Sequence, residues 1–295
     1  MSAALGGMGK VPGGLVRRHV LTGVTRWMGA RLTMTAGIVL ALAVIGLSLL
    51  GPFVYHASAY AIHGHHTLAP PSAAFPLGTD QIGRDELARL IVGGFATLIV
   101  AIPSAALGFV LGIAYGLAAA LGPSWLDRVL MRLLDAILAL PGLVILIFFS
   151  ALFTPGNAAL ILLLGLTAWP ALARLVRNEA IAQRGRDFVH AARQAGGGTA
   201  YIARRHIVRV IAPILVVNGT FLVGDSILAL SGLSFLGLGV QPPFTSWGAL
   251  LQDGLNLIAL DPWWMIAPPG LMIFAAILAA NLIGQGMLEA QERGA

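Results

Sequence analysis

No charged side chain occurs between Arg89 and Asp127, and none again between Asp135 and Arg174. Stretches of that length decide the class of fold. About 20 apolar residues cross the roughly 30 Å of hydrocarbon in a bilayer, so each stretch holds at least one crossing. The whole chain of 295 residues is 58% hydrophobic and only 10% charged, against about 25% charged in a soluble domain. A single chain crosses lipid only as helices or as a closed barrel. Runs this long without strict alternation exclude the barrel. The expectation is an all-α integral membrane protein.

Six spans fit. The first runs from about Leu32 to Tyr55, and the second lies between Arg89 and Asp127. The stretch from Asp135 to Arg174 is interrupted by Thr154-Pro155-Gly156-Asn157, a strong turn signal, and so forms spans three and four as a hairpin. The fifth runs from about Val210 past Leu230 and the sixth from about Trp263 to Leu288. The first apolar run is too long for the core of a signal peptide and reads as a retained span. Gly108, Gly112 and Gly116 recur every four residues in span two. They share one helical face and suit close packing between helices of the same chain.

Basic residues orient these spans. Lys10, Arg17, Arg18, Arg26 and Arg31 precede span one, and eight arginines from Arg174 to Arg209 separate spans four and five. With Arg128, Arg132 and Arg293, they put 16 of the 18 basic residues on one side, leaving Arg84 and Arg89 opposite. The excess of Lys and Arg marks the cytoplasmic side. Both termini and the polar island Asp187–His206 are then cytoplasmic, and residues 56–88 and 240–262 external. Within the island, Phe188, Ala191, Ala192 and Ala195 form one stripe of a short helix. Gly196-Gly197-Gly198 ends that helix, and Tyr201 to His206 restarts one that leads into span five. Read physically, the island is either a solvated interfacial helix or a ball-like element seated in a partner's groove.

Several chemistries are excluded. There are no cysteines, hence no disulfide, thiolate metal site or cysteine nucleophile. Lys10, the only lysine, is followed by Val11, so no phosphate-binding loop exists. An intramembrane hydrolase or transferase would need paired acids or a nucleophile within the spans. Asp225 is the one acid well inside a span, 16 residues or roughly 24 Å of helix beyond Arg209. A central charge costs about 2.5–3.5 kcal/mol on insertion scales, so it should face protein or water. Asn218, seven residues earlier, shares nearly the same face. The two either line a translocation path or form a buried structural pair. His56, His63, His65 and His66 cluster in the first external loop. Imidazoles can hold nickel, copper, zinc or iron, but the spacing matches no standard site, and a polar loop is the plainer reading. Asp80, Arg84, Asp85, Glu86 and Arg89 form a local charge network read as structural. Pro242, Pro243, Trp247, Trp263 and Trp264 flank the last external loop, as interfacial anchors or as a docking surface or gate.

Three segments carry a resemblance. HAARQAGGGTAYIARRHIV resembles the coupling motif of permease subunits of ATP-binding-cassette importers: Ala191, Ala192 and Gly196 match, while His190 stands where glutamate is usual and Arg209 where proline is usual. FPLGTDQIGRDELARLIVGG (75–94) and LSFLGLGVQPPFTSWGALL (233–251) resemble signatures of the second permease of dipeptide and oligopeptide importers, and WWMIAPPGLMIFAAILAANLIGQG is similar to their last span. The resemblance covers about residues 32–290. It implies a type I importer permease fold in a bacterial plasma (inner) membrane: a tail (1–31), a first span and external loop (32–88), a five-helix transmembrane domain (89–290) with its coupling loop at about 185–206, and a short tail (291–295). It implies a heterodimer with a homologous second permease, two ATP-binding subunits that carry ATP and Mg, and an extracytoplasmic substrate-binding protein. It implies no cofactor in this chain, no catalytic residue and no nucleic acid. His190, Ala191, Ala192, Gly196, Arg204 and Arg205 would then contact the ATPase, with a compensating change there opposite His190. Nickel, glutathione or haem could replace peptide as cargo. An ion-coupled carrier acting alone is the weaker alternative.

Overall fold

The computed structural model describes residues 13–153 and 156–291, with side chains from Arg31 onward. The tail residues 1–12 and 292–295 and Thr154-Pro155 of the expected turn lie outside the described residues. Ten α-helices are used below: α1 (Gly13–Val54), α2 (Glu86–Leu121), α3 (Ser124–Leu138), α4 (Gly142–Phe153), α5 (Asn157–Arg184), α6 (Asp187–Gln194), α7 (Thr199–Ile202), α8 (Val208–Phe235), α9 (Trp247–Leu255) and α10 (Trp263–Gln291). Among them, five helical segments are long and apolar enough to cross a membrane, and α3 with α4 makes a sixth if the bent pair is one span. The expected six crossings are matched when that bent pair is counted as one span. Helix α1 starts earlier than the expected span, at Gly13 rather than Leu32.

Span three differs from a straight helix. Helices α3 and α4 meet at 73°. Ala139-Leu140-Pro141-Gly142 sits at the break. Pro141 cannot donate to the preceding turn and steers Leu140 out of the α region. Neither half alone is long enough to span.

Small residues set how closely the spans pack. Gly108, Gly112 and Gly116 are buried on α2. A Cβ at Gly112 would lie 2.9 Å from the Leu172 side chain. One at Gly116 would lie 2.6 Å from the Ala173 carbonyl, and one at Gly108 3.1 Å from Ala168. The glycine face is thus the seat of α5, which runs parallel to α2, and the intramolecular reading of that stripe holds. Helix α10 packs antiparallel to both α1 and α8 in the same way. Gly286 abuts Met34, Gly37 abuts Leu282, and Gly284 abuts Phe221. Outward residues such as Leu42, Phe53, Leu271 and Phe274 stay exposed, which a lipid-facing surface requires.

Two ends result. At one, α6, α7 and the arginines of α3 and α5 gather. There Arg177 forms a bidentate pair with Asp127, with Nη2 2.6 Å from Oδ2, and Arg184 donates to the Ala120 carbonyl. At the other end, the segment before α2 and the short helix α9 close over the bundle. Helix α9 is tucked in by Trp247, which is fully buried. Its indole N–H donates to the Leu90 carbonyl at 3.1 Å, and a Cβ at Gly248 would overlap the Ser231 carbonyl. Only glycine permits that approach.

Candidate coupling surface and translocation path

The polar island folds as α6, a glycine turn, α7 and a π-helical turn, Ala203–Ile207, that runs directly into α8. Helix α6 ends at Gly196, whose φ of 82° lies in the left-handed region. The Gly197 N–H then closes back on the Ala192 carbonyl at 2.9 Å, the usual way a helix terminates at glycine. The expected stripe is split. Val189 is fully buried against Ile202, Ile207 and Ala180, with Ala192 half-buried beside it. Phe188, His190, Ala191 and Ala195 face outward. The inner face therefore follows Val189 and Ala192 at i and i+3, and the outer face presents two alanines between Phe188 and His190. Sequence reasoning missed Val189, although the apolar pair Val189 and Ala192 carried the signal.

Arg204 and Arg205 lie exposed in the π-turn. With Tyr201 and Arg209, they line a hollow of about 550 Å³. The half-buried His206 places its ring 5.5 Å from that of Tyr201 and 6.3 Å from that of Phe188. None of the three arginines has a carboxylate partner among the described residues. This end therefore offers a small-residue helix beside a cationic hollow, with α7 and the π-turn continuous with α8 and the glycine turn between them and α6.

The proposed path residues separate. Asn218 Nδ2 donates to the Ile214 carbonyl of its own helix at 2.8 Å. Asp225 is exposed, lines a cavity of about 190 Å³ with Thr167 and Ser226, and has no polar partner among the described residues. The two do not bond to each other, so the structural-pair reading fails. Thr167 and Ser226 were not found from sequence, because hydroxyl residues in a span are common and lack a pattern of their own.

The histidines do not converge. His63 and His66 pack their rings 5.4 Å and 5.6 Å from Phe75, and His63 Nδ1 sits 3.2 Å from the Gly83 carbonyl. Among the described residues, no group of three or more such side chains could hold a metal ion. The charge network is structural, as expected, and larger than expected. Asp80 is fully buried. Its Oδ2 lies 2.6 Å from Arg84 Nε and 2.7 Å from Arg89 Nη1, and its Oδ1 accepts the backbone N–H groups of Ile82 and Arg84. Arg89 Nη2 reaches Asp253 on α9 at 2.9 Å. Asp85 caps α2 by accepting from the Ala88 N–H at 2.9 Å and also accepts from the Tyr55 hydroxyl. Burial and that carboxylate push the Tyr55 hydroxyl up from its ordinary range, so it stays a donor. Asp253 was missed because it lies 164 residues from Arg89.

Known proteins share this plan. The profile of the family described as binding-protein-dependent transport system inner membrane component matches residues 108–295. A putative peptide permease protein of Brucella suis is 35% identical over 259 residues, covering 84% of this chain and 85% of its own. The di/tripeptide transport system permease protein DppC of Pseudomonas aeruginosa is 34% identical, covering 86% of each chain. The dipeptide transport system permease protein DppC of Bacillus subtilis is 32% identical, covering 86% of this chain and 80% of its own. With the all-helical bundle and its candidate spans in place, the chain belongs to the family of binding-protein-dependent transport system inner membrane components, permeases of the type I ATP-binding-cassette importer fold.

Proposed function

We propose that the chain is the second-type permease of an ATP-driven importer of dipeptides or short oligopeptides and forms half of its pore. The observation that carries this reading is α6. It is a short helix with an outward alanine face, held by Val189 and joined through the π-turn to a membrane-spanning helix. Nothing in such an element supplies energy, and no phosphate-binding loop exists in the chain. It is built to receive movement from an ATPase. Two ATP-binding subunits carrying ATP and Mg, a homologous second permease and an extracytoplasmic binding protein complete the assembly. The peptide substrate is supported by relatives named for dipeptide and di/tripeptide transport. The arginine-rich end faces the cytoplasm under the positive-inside rule, which puts both termini there in a bacterial inner membrane. Ala191, Ala192, Gly196, His190, Arg204 and Arg205 meet the ATPase, and Asp225 lines the path.

The test is transport by the whole complex in proteoliposomes, with labelled di- and tripeptides outside the binding-protein face. Peptide accumulates only when ATP and the binding protein are both present. Accumulation of nickel, glutathione or haem with no peptide of any length would transfer the assignment to those cargoes. Accumulation without ATP would favour an ion-coupled carrier.

A further inference from the structure

Resting on the peptide reading, the cavity at Asp225 is where the structure says most about cargo. Its walls come from three helices: Gly142, Leu143 and Leu146 of α4, Leu164, Thr167 and Ala168 of α5, and Asp225, Ser226 and Ala229 of α8. It opens beside the break between α3 and α4. Asp225 lies ten residues before Phe235, roughly 15 Å from that end of α8. No cationic side chain lines the cavity, so a carboxylate stands in a membrane-spanning helix without a counter-charge among the described residues. That arrangement is costly unless something else faces it.

The remaining polar groups are oxygens. Thr167 Oγ1 donates to the carbonyls of Leu163 and Leu164, which leaves its lone pairs to accept. Ser226 is 3% exposed, and its Oγ has no hydrogen-bond partner. Fully buried, that oxygen does not open onto the cavity. One carboxylate and one hydroxyl oxygen fit a group with several N–H donors and repel an anion. At about 190 Å³, the cavity falls below the roughly 300–1,000 Å³ of a site for a whole ligand. It has room for the end of a molecule.

We propose that Asp225 and Thr167 form a transient niche for the α-ammonium group of the peptide as it passes through the pore. The amino terminus enters first or pauses there, and the carboxyl end stays out. The niche selects during movement, after the binding protein has selected for affinity. A charge-assisted hydrogen bond of this kind is brief, and its loss slows turnover.

The test is Asp225→Asn and Asp225→Glu in the reconstituted complex, measured as peptide uptake against peptide concentration. Asp225→Asn lowers the maximal rate about tenfold with KM little changed, because KM follows the binding protein. Asp225→Glu returns the rate to within about threefold of wild type, and both variants co-purify with the partner permease as wild type does. Wild-type rates in Asp225→Asn would overturn the niche. So would equal losses in both variants, and so would loss of the partner permease, which would assign Asp225 to a cation across the permease interface. Failure of the wild-type complex to move any peptide would instead overturn the peptide reading itself, and the niche with it.

Discussion

Replacing Arg89 with methionine should destabilise the protein by about 3–5 kcal/mol, the usual cost of removing one partner from a buried ion pair. Arg89 is 4% exposed and joins three carboxylates, those of Asp80, Glu86 and Asp253. Asp80 and Glu86 are fully buried, so they cannot turn to water once the guanidinium has gone. The loss also unties α9 from α2, since the Asp253 pair bridges them. Arg84→Met is the comparison. Its side chain is 22% exposed, and it should cost about 1 kcal/mol, near the range of surface pairs. Heating the purified complex and following this subunit's unfolding midpoint measures both.

Replacing Ala191 with tryptophan should cut ATP-driven uptake by more than tenfold while leaving the unfolding midpoint unchanged. Ala191 is exposed on the outward face of α6, so the larger ring meets no atom of its own chain. It meets the groove that receives the helix, and overpacking such a contact costs about 1–3 kcal/mol. That cost is roughly five- to 150-fold in occupancy, and the bulk of an indole puts this variant in the upper part of the range. Gly196→Ala acts differently. It puts a side chain at a φ of 82°, which costs about 1–2 kcal/mol in the left-handed region, and should weaken the turn itself. The first variant loses function without stability, and the second loses some of both.

Much of this was legible in the sequence because the membrane imposes strong local patterns. Charge-free stretches located the spans, the spacing of Gly108, Gly112 and Gly116 marked a face for close packing within the chain, and the triple glycine located the end of α6. Features made by contact across the fold were not legible. Pro141-Gly142 is a visible break signal, but its 73° bend was hidden inside an unbroken apolar run. Helix α9 reads as a loop flanked by tryptophans. Its burial rests on Trp247 reaching Leu90, 157 residues away. The stripe on α6 misassigned its inner face because alanine satisfies either side, and only Val189 needs to be buried. At Asp225 the sequence showed a costly acid. The cavity around it comes from three separate helices, which no spacing in one of them could reveal.

The central claim is that the outward face of α6 seats in an ATPase. The chain has no cysteines, so Ala191→Cys supplies a unique point of attachment. A benzophenone maleimide placed there, in the assembled complex in native membranes, can capture whatever lies against the helix. An ATPase subunit should be the captured protein, with a yield that changes on adding ATP. The same probe at Ile62→Cys, exposed at the opposite end, should capture none. Capture of the ATPase from position 62 and not from position 191 would contradict the account.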